Sequence, residues 1–133
     1  MEKTKVVVRF SNGKLIKGFT EDFFPNKERF HVNPADNHSA GTIEVSTKDL
    51  KAIFLVRDFI GDSLYNERKK YIEGEKPSGK KVEVTFADGE VLAGSTLAYD
   101  SKRQGFFFFP ADPKSNNIRV YVVSSAAQRV RYL

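Results

Sequence analysis

The second half of this chain repeats the sequence pattern of the first half. Residues 6–18 align with residues 82–94, and the tripeptide Pro-Ala-Asp recurs at 34–36 and 110–112, each match being 76 positions apart. Similarity at a fixed period is the signature of a duplicated structural unit. We therefore expect the 133 residues to fold as two related small modules rather than as one irregular domain.

Each copy begins with the pattern of a half-buried β-strand. In copy one Val6, Val8 and Phe10 place an apolar side chain at every second position, and the aligned segment of copy two keeps the same alternation. The dipeptides Asn12-Gly13 and Asp88-Gly89 follow, and such pairs favour a type I′ hairpin turn. Further short apolar segments complete each copy. They predict five strands in about fifty-five residues, the size of a small β-barrel.

The predicted architecture is all-β, with two tandem five-stranded barrels joined by a short helix and a linker. We place the first barrel at residues 1–60, the helix and linker at 61–80, and the second barrel at 81–133. The helix is predicted because Leu64, Arg68, Tyr71 and Ile72 fall on one side at helical spacing.

The spacing of glycines and aromatic residues resembles the first half of the Sm-like fold, which is shared by Sm and LSm proteins and the bacterial host-factor RNA chaperone. The matching residues are Gly89, Gly94, Tyr99-Asp100 and Phe106-Phe107-Phe108 in copy two, and Gly13, Gly18, Phe23-Phe24 and Phe30-His31-Val32 in copy one. This resemblance implies an Sm-like barrel in each half.

The resemblance implies the barrel more than the RNA site of that family. Asp100 keeps the acidic residue of the first motif, but copy one has Phe24 there. The basic pair of the second motif is absent, and Ser46-Thr47 and Ser124-Ser125 stand near its place. A second small-barrel family, the PilZ domains that bind cyclic di-GMP, has an Asn/Asp-x-Ser-x-x-Gly turn. Residues 37–41 are one residue too short for it, which disfavours nucleotide binding.

The run Phe106-Phe107-Phe108-Phe109 is apolar on both faces of an extended strand, because successive side chains point in opposite directions. Alignment assigns Phe106 and Phe108 to the barrel interior. Phe107 and Phe109 align instead with the polar residues His31 and Asn33 of copy one.

Phe107, Phe109 and Phe54 are the interface candidates, since Phe54 lies in a second doubly apolar segment, residues 53–56. Burying a Phe side chain stabilises a protein by about 1.5–3 kcal/mol, so we expect all three to be shielded from water. The sequence leaves two alternatives for what shields these three side chains. The two barrels and the linker helix could dock on these residues, or a homo-oligomer or partner protein could cover them.

The charge distribution leaves nucleic-acid binding as an alternative. The chain has 22 Lys and Arg against 17 Asp and Glu, a formal charge of +5 without a concentrated basic segment. A solvated surface is the preferred explanation. The nucleic-acid candidates are Lys102, Arg103, Arg119, Arg129 and Arg131. If they bind RNA, the affinity should fall steeply with salt.

The sequence contains no recognisable catalytic or metal-binding motif. Cysteine is absent, and His31 and His38 with Asp36 form a trio that a strand and a loop are not expected to bring together. Ser39 beside His38 is adjacency along the chain and not a catalytic dyad. We predict no enzymatic activity, no cofactor and no metal.

Neither a signal peptide nor a membrane-spanning apolar run is present in these residues, so we predict a cytoplasmic location. The predicted function is a non-enzymatic binding or adaptor module that makes protein contacts through barrel edges and an outer aromatic surface. Its partner is either another protein or further copies of itself, and three such chains would supply six barrels. RNA binding is the alternative function.

Overall fold

The computed structural model describes residues 2–35, 41–60, 67–68, 70–71 and 74–133. Within them the chain forms ten β-strands and two single-turn 3₁₀ helices, which confirms the all-β prediction. The strands of the first half are β1 (Thr4–Phe10), β2 (Leu15–Thr20), β3 (Arg29–Pro34), β4 (Ile43–Ser46) and β5 (Leu50–Val56). Those of the second half are β6 (Lys80–Phe86), β7 (Val91–Thr96), β8 (Gly105–Pro110), β9 (Asn117–Val123) and β10 (Ala127–Tyr132).

All ten strands belong to one antiparallel sheet with the order β10-β6-β7-β8-β9-β5-β1-β2-β3-β4. Each half contributes five adjacent strands in the equivalent order, and the two halves join where β5 pairs with β9. The order is linear, so the described strands do not close into barrels. The predicted arrangement of two tandem barrels is not seen in the described strands, and β5 and β9 instead satisfy each other's free backbone groups at the junction.

The hairpin glycines adopt the positive φ that was predicted, but the turn type was wrong. Gly13 and Gly89 have φ of 93° and 94°, whereas Asn12 does not have a positive φ and so cannot form a type I′ turn. The Gly13 amide donates to the Phe10 carbonyl at 3.1 Å, and the Phe10 amide donates to the Lys14 carbonyl at 2.8 Å. This is the longer hairpin loop that ends in a left-handed glycine.

Two further glycines let the sheet bend. Gly18 of β2 pairs with Pro34, and Gly94 of β7 pairs with Pro110. A Cβ atom at either glycine would collide with the backbone carbonyl oxygen of the neighbouring strand. Close backbone approach at a sharp bend is a common reason for glycine inside a strand.

The sheet has two hydrophobic cores, and each is completed by the other half of the chain. Tyr121 and Val123 of β9 are buried in the core of the first half. Ala52, Phe54 and Val56 of β5 are buried in the core of the second half. Each core therefore contains buried side chains from the other half of the chain.

The helix predicted within residues 62–73 is not seen where that segment is described. Residues 67, 68, 70 and 71 are not helical, and the other positions, including Leu64 and Ile72, lie outside the described residues. Arg68 instead anchors the segment to the second half, because its backbone amide donates to the Asp112 carboxylate at 2.9 Å. In the part of the chain that the structure describes, no helix has the length and apolar character needed to cross a membrane.

Candidate protein-binding surface

The three interface candidates occupy different environments. Phe54 is 7% exposed and lies in the core of the second half. Phe107 is partly buried, and its ring makes edge contacts with Tyr121 at 5.2 Å and with Phe23 of the first half at 6.3 Å. The contact between the two halves thus buries Phe54 and covers Phe107 in part. Phe109 is also partly exposed and lies on the outer side of the second half.

Phe109 lines two surface pockets, the second of which is also lined by Pro25 of the first half. They have volumes of about 500 and 490 Å³ and share Leu97 and Phe109 in their linings. The first pocket is also lined by Lys76 and Ile118, and the second by Arg119. We call the surface formed by these five residues the outer groove. Its aliphatic side chains are well exposed, Leu97 to 71% and Ile118 to 48%.

The two charged residues of the outer groove, Arg119 and Lys76, are both cations, while the first pocket is also lined by Glu75 and Asp112 and the second by Asp100 and Arg103. Among the described residues, Arg119 and Lys76 have no carboxylate within ion-pair distance. The acidic groups on the rim of the first pocket are held by one arginine, since Arg68 donates to both Glu75 oxygens at 2.8 and 2.9 Å and its backbone amide bonds Asp112. An anionic ligand would therefore meet cations in both pockets.

The five nucleic-acid candidates lie on three separate elements. Lys102 and Arg103 are in the loop between β7 and β8, Arg119 is on β9, and Arg129 and Arg131 are on β10. Arg103 and Arg119 line the same pocket. Arg131 is bound to Glu83 at 2.9 Å, and the Arg103 guanidinium lies 4.0 Å from the Asp100 carboxylate.

The two ends of the sheet are polar where the internal junction is apolar. When β10 is aligned with β5, Arg129 and Arg131 stand in the places of Ala52 and Phe54. At the other end Glu44 of β4 stands where β9 has Tyr121. Charged side chains of this kind protect edge strands from pairing with other chains.

His31 belongs to an exposed charged cluster on the first half. Its Nδ1 lies 2.6 Å from the Asp22 carboxylate and its Nε2 lies 3.6 Å from the Glu44 carboxylate. The hydrogen bond to Asp22 raises the pKa of His31 above its usual value. His38, Asp36 and Ser39 lie outside the described residues. Within the described part of the chain, no group of three His, Asp or Glu side chains is arranged to hold a metal ion.

Sequence reasoning found Phe109 and Arg119 but missed Leu97 and Ile118. A single exposed leucine attracts no attention, because much of any protein surface is apolar. The signal was available in the repeat, since Leu97 aligns with Glu21 of the first half.

Comparison with known proteins gives a family but no activity. A family model described as a family of unknown function, DUF6982, matches residues 2–133. No curated protein and no solved structure matches the chain. The geometry of the outer groove is therefore the basis for any functional inference.

Proposed function

Because the chain belongs to the DUF6982 family of unknown function, we propose its role from the structure: a non-enzymatic adaptor that binds another protein through the outer groove. Its two halves act as a rigid platform, and the groove on the second half is the contact surface. The absence of cysteine suits a cytoplasmic location, where thiols are kept reduced, and we include that location in the proposal.

The exposed apolar side chains of the groove carry this proposal. Leu97 and Phe109 stand where the first half has the exposed polar residues Glu21 and Asn33. The two halves have the same strand order, so the fold does not require apolar residues at these positions. Exposed apolar clusters beyond the needs of folding are typical of protein interaction sites.

We infer further that each half is an Sm-like module. The shared strand order and the paired bend glycines, Gly18 and Gly94, support this interpretation together with the motif resemblance. In this view the junction of β5 with β9 joins two modules side by side. The second half differs from the first chiefly in its apolar exterior, which is where specialised binding is expected to arise.

Binding of a different protein at the outer groove is more favourable than self-association of this chain through the ends of its sheet. Pairing of β10 with β4 of another copy would place Arg129 and Arg131 where the internal junction buries Ala52 and Phe54. Removing these charges from water is costly, since among the described residues only Arg131 of the two has an acidic partner, Glu83. The ends therefore act as caps, and the outer groove remains as the contact surface.

Quantitative affinity purification from the natural host tests the adaptor role. The bait proteins are the wild type, the double variant Leu97→Ser/Ile118→Ser, and Leu15→Ser as a matched control, because Leu15 is similarly exposed at 45% but lies on the first half. All samples are treated with nuclease. We expect a set of proteins that the wild type and the control retain and that the double variant loses. Identical protein sets for all three baits would contradict the proposal.

RNA binding is the second candidate function, supported by Arg103 and Arg119 in one pocket beside aromatic residues. Its test is a filter-binding titration at low salt with oligo-U, oligo-A and duplex RNA. Affinity that falls steeply with salt and is lost in Arg103→Ala/Arg119→Ala would favour this function over the adaptor role.

A further inference from the structure

We propose that the partner of the outer groove is an extended acidic segment of another protein. Apolar side chains of this segment enter the two pockets, and its carboxylates bind Arg119 and Lys76. This inference rests on the proposed adaptor function and adds the chemistry of the partner.

The apolar part of the recognition follows from the shape of the groove. Leu97 and Phe109 border both pockets, so they form a shared apolar wall between two depressions of nearly equal volume. A chain crossing this wall can place one large side chain on each side. In an extended strand, alternate side chains point to the same side, so such a segment presents its apolar residues at every second position.

The acidic part follows from the charges left over in the groove. Glu75, which also lines the first pocket, is paired with the Arg68 guanidinium, and the buried Asp112 carboxylate accepts a hydrogen bond from the Arg68 backbone amide. Arg119 and Lys76, one in each pocket, have no carboxylate within ion-pair distance among the described residues. A segment whose carboxylates lie on the same face as its apolar residues, at further alternate positions, would supply both missing partners.

Arg119 is held in a position suited to this contact. Its guanidinium lies over the Phe107 ring, 4.4 Å from the ring centroid. This contact restrains the guanidinium at the second pocket, and an arginine can bind a carboxylate with two parallel hydrogen bonds.

The same stacking favours a peptide over RNA. Arg119 lies over the Phe107 ring, and the same ring makes T-shaped contacts with Tyr121 and Phe23. Stacking of a nucleobase requires a free aromatic face. The most exposed apolar residues of the groove, Leu97 and Ile118, are aliphatic, and Phe109, the one aromatic ring among the five groove residues, is only partly exposed.

Selection from a phage-displayed random peptide library tests this chemistry. The immobilised proteins are the wild type, Arg119→Glu/Lys76→Glu, Leu97→Ser/Ile118→Ser and the control Leu15→Ser, each checked for unchanged thermal unfolding. Enriched peptides are synthesised, and their affinities are measured by fluorescence polarisation.

We expect peptides rich in Asp or Glu together with Phe, Leu, Tyr or Trp. Their affinity should fall about tenfold or more for Arg119→Glu/Lys76→Glu, as expected for lost charge-assisted hydrogen bonds. It should be unchanged for Leu15→Ser. Versions with Lys in place of Asp and Glu should bind the charge-reversed protein better than the wild type.

Other outcomes separate this inference from the adaptor function. Neutral or basic peptides that depend on Leu97 and Ile118 but not on Arg119 would overturn the acidic partner and leave the adaptor function standing. The same conclusion would follow if affinity purification found a protein that depends on the groove while phage selection found no acidic peptide that depends on it. If neither experiment yields a ligand that depends on Leu97 and Ile118, both proposals are overturned.

Discussion

Single side chains fasten the two halves to each other. Lys51 of β5 is largely buried, and its ammonium group donates hydrogen bonds at 2.6 Å to Asp88 and to Glu90, which border the first hairpin of the second half. The ammonium also lies 4.7 Å from the centroid of the Phe86 ring. On the other side of the junction, Gln104 donates to the backbone carbonyl of Lys27 at 3.1 Å. These contacts fix the orientation of the groove relative to the first half.

Replacing Lys51 with Met should lower the free energy of unfolding by about 1–2 kcal/mol. Removing one partner of a buried pair is costly, but Asp88 and Glu90 are about half exposed and remain solvated, which reduces the loss. Denaturant unfolding of both proteins measures the difference. Lys48→Met, at an exposed position, should have little effect, and an equal loss in that control would contradict a specific contact.

The same contact predicts a pH dependence. The hydrogen bond from Lys51 lowers the pKa of Asp88 below its usual 3.8. The stabilisation is therefore present above that pH and is lost as the pH falls through the lowered pKa. The difference in stability between wild type and Lys51→Met should accordingly shrink at strongly acidic pH.

The strands themselves could be predicted from the sequence, but their pairing across the repeat could not. The apolar segment at residues 53–56 was expected to be extended, and the structure contains β5 at Leu50–Val56. The hydrogen-bond partner of an edge strand depends on the distant part of the chain, which local periodicity does not report. The sequence did carry one sign of the junction, since residues 53–56 are apolar on both faces. The groove was only partly predictable, because Leu97 becomes noticeable only when it is compared with Glu21, the residue aligned with it in the first half.

The shared cores predict that neither half folds alone. Without β5, the core of the second half would expose Val120 and Val122, which Ala52 and Phe54 otherwise cover. We expect residues 1–60 and 81–133, produced separately, to show the spectra of unfolded or aggregated chains by circular dichroism and NMR. Mixed in equal amounts they should recover the β-sheet signal, because the β5–β9 ladder can form between chains. A folded, monomeric half on its own would contradict this expectation.

The assembled sheet ends in two charged strands, and this argues for a monomer. Its internal junction shows what a competent interface requires, since Ala52 and Phe54 on β5 and Tyr121 on β9 are all buried. The free ends carry Arg129, Arg131 and Glu44 in those places. A chain that assembled further through the same pairing would have to place these charges against apolar cores.

Restoring the apolar residues should therefore create an oligomer. We expect light scattering coupled to size exclusion to give the wild type the mass of a single chain. The triple variant Arg129→Ala/Arg131→Phe/Glu44→Tyr reproduces the internal junction at both ends, so it should elute as larger species whose mass rises with concentration. Arg129→Lys/Arg131→Lys keeps the charge and should stay monomeric. A wild-type trimer would show instead that the arginines and Glu44 do not prevent pairing, and would revive a ring of six modules.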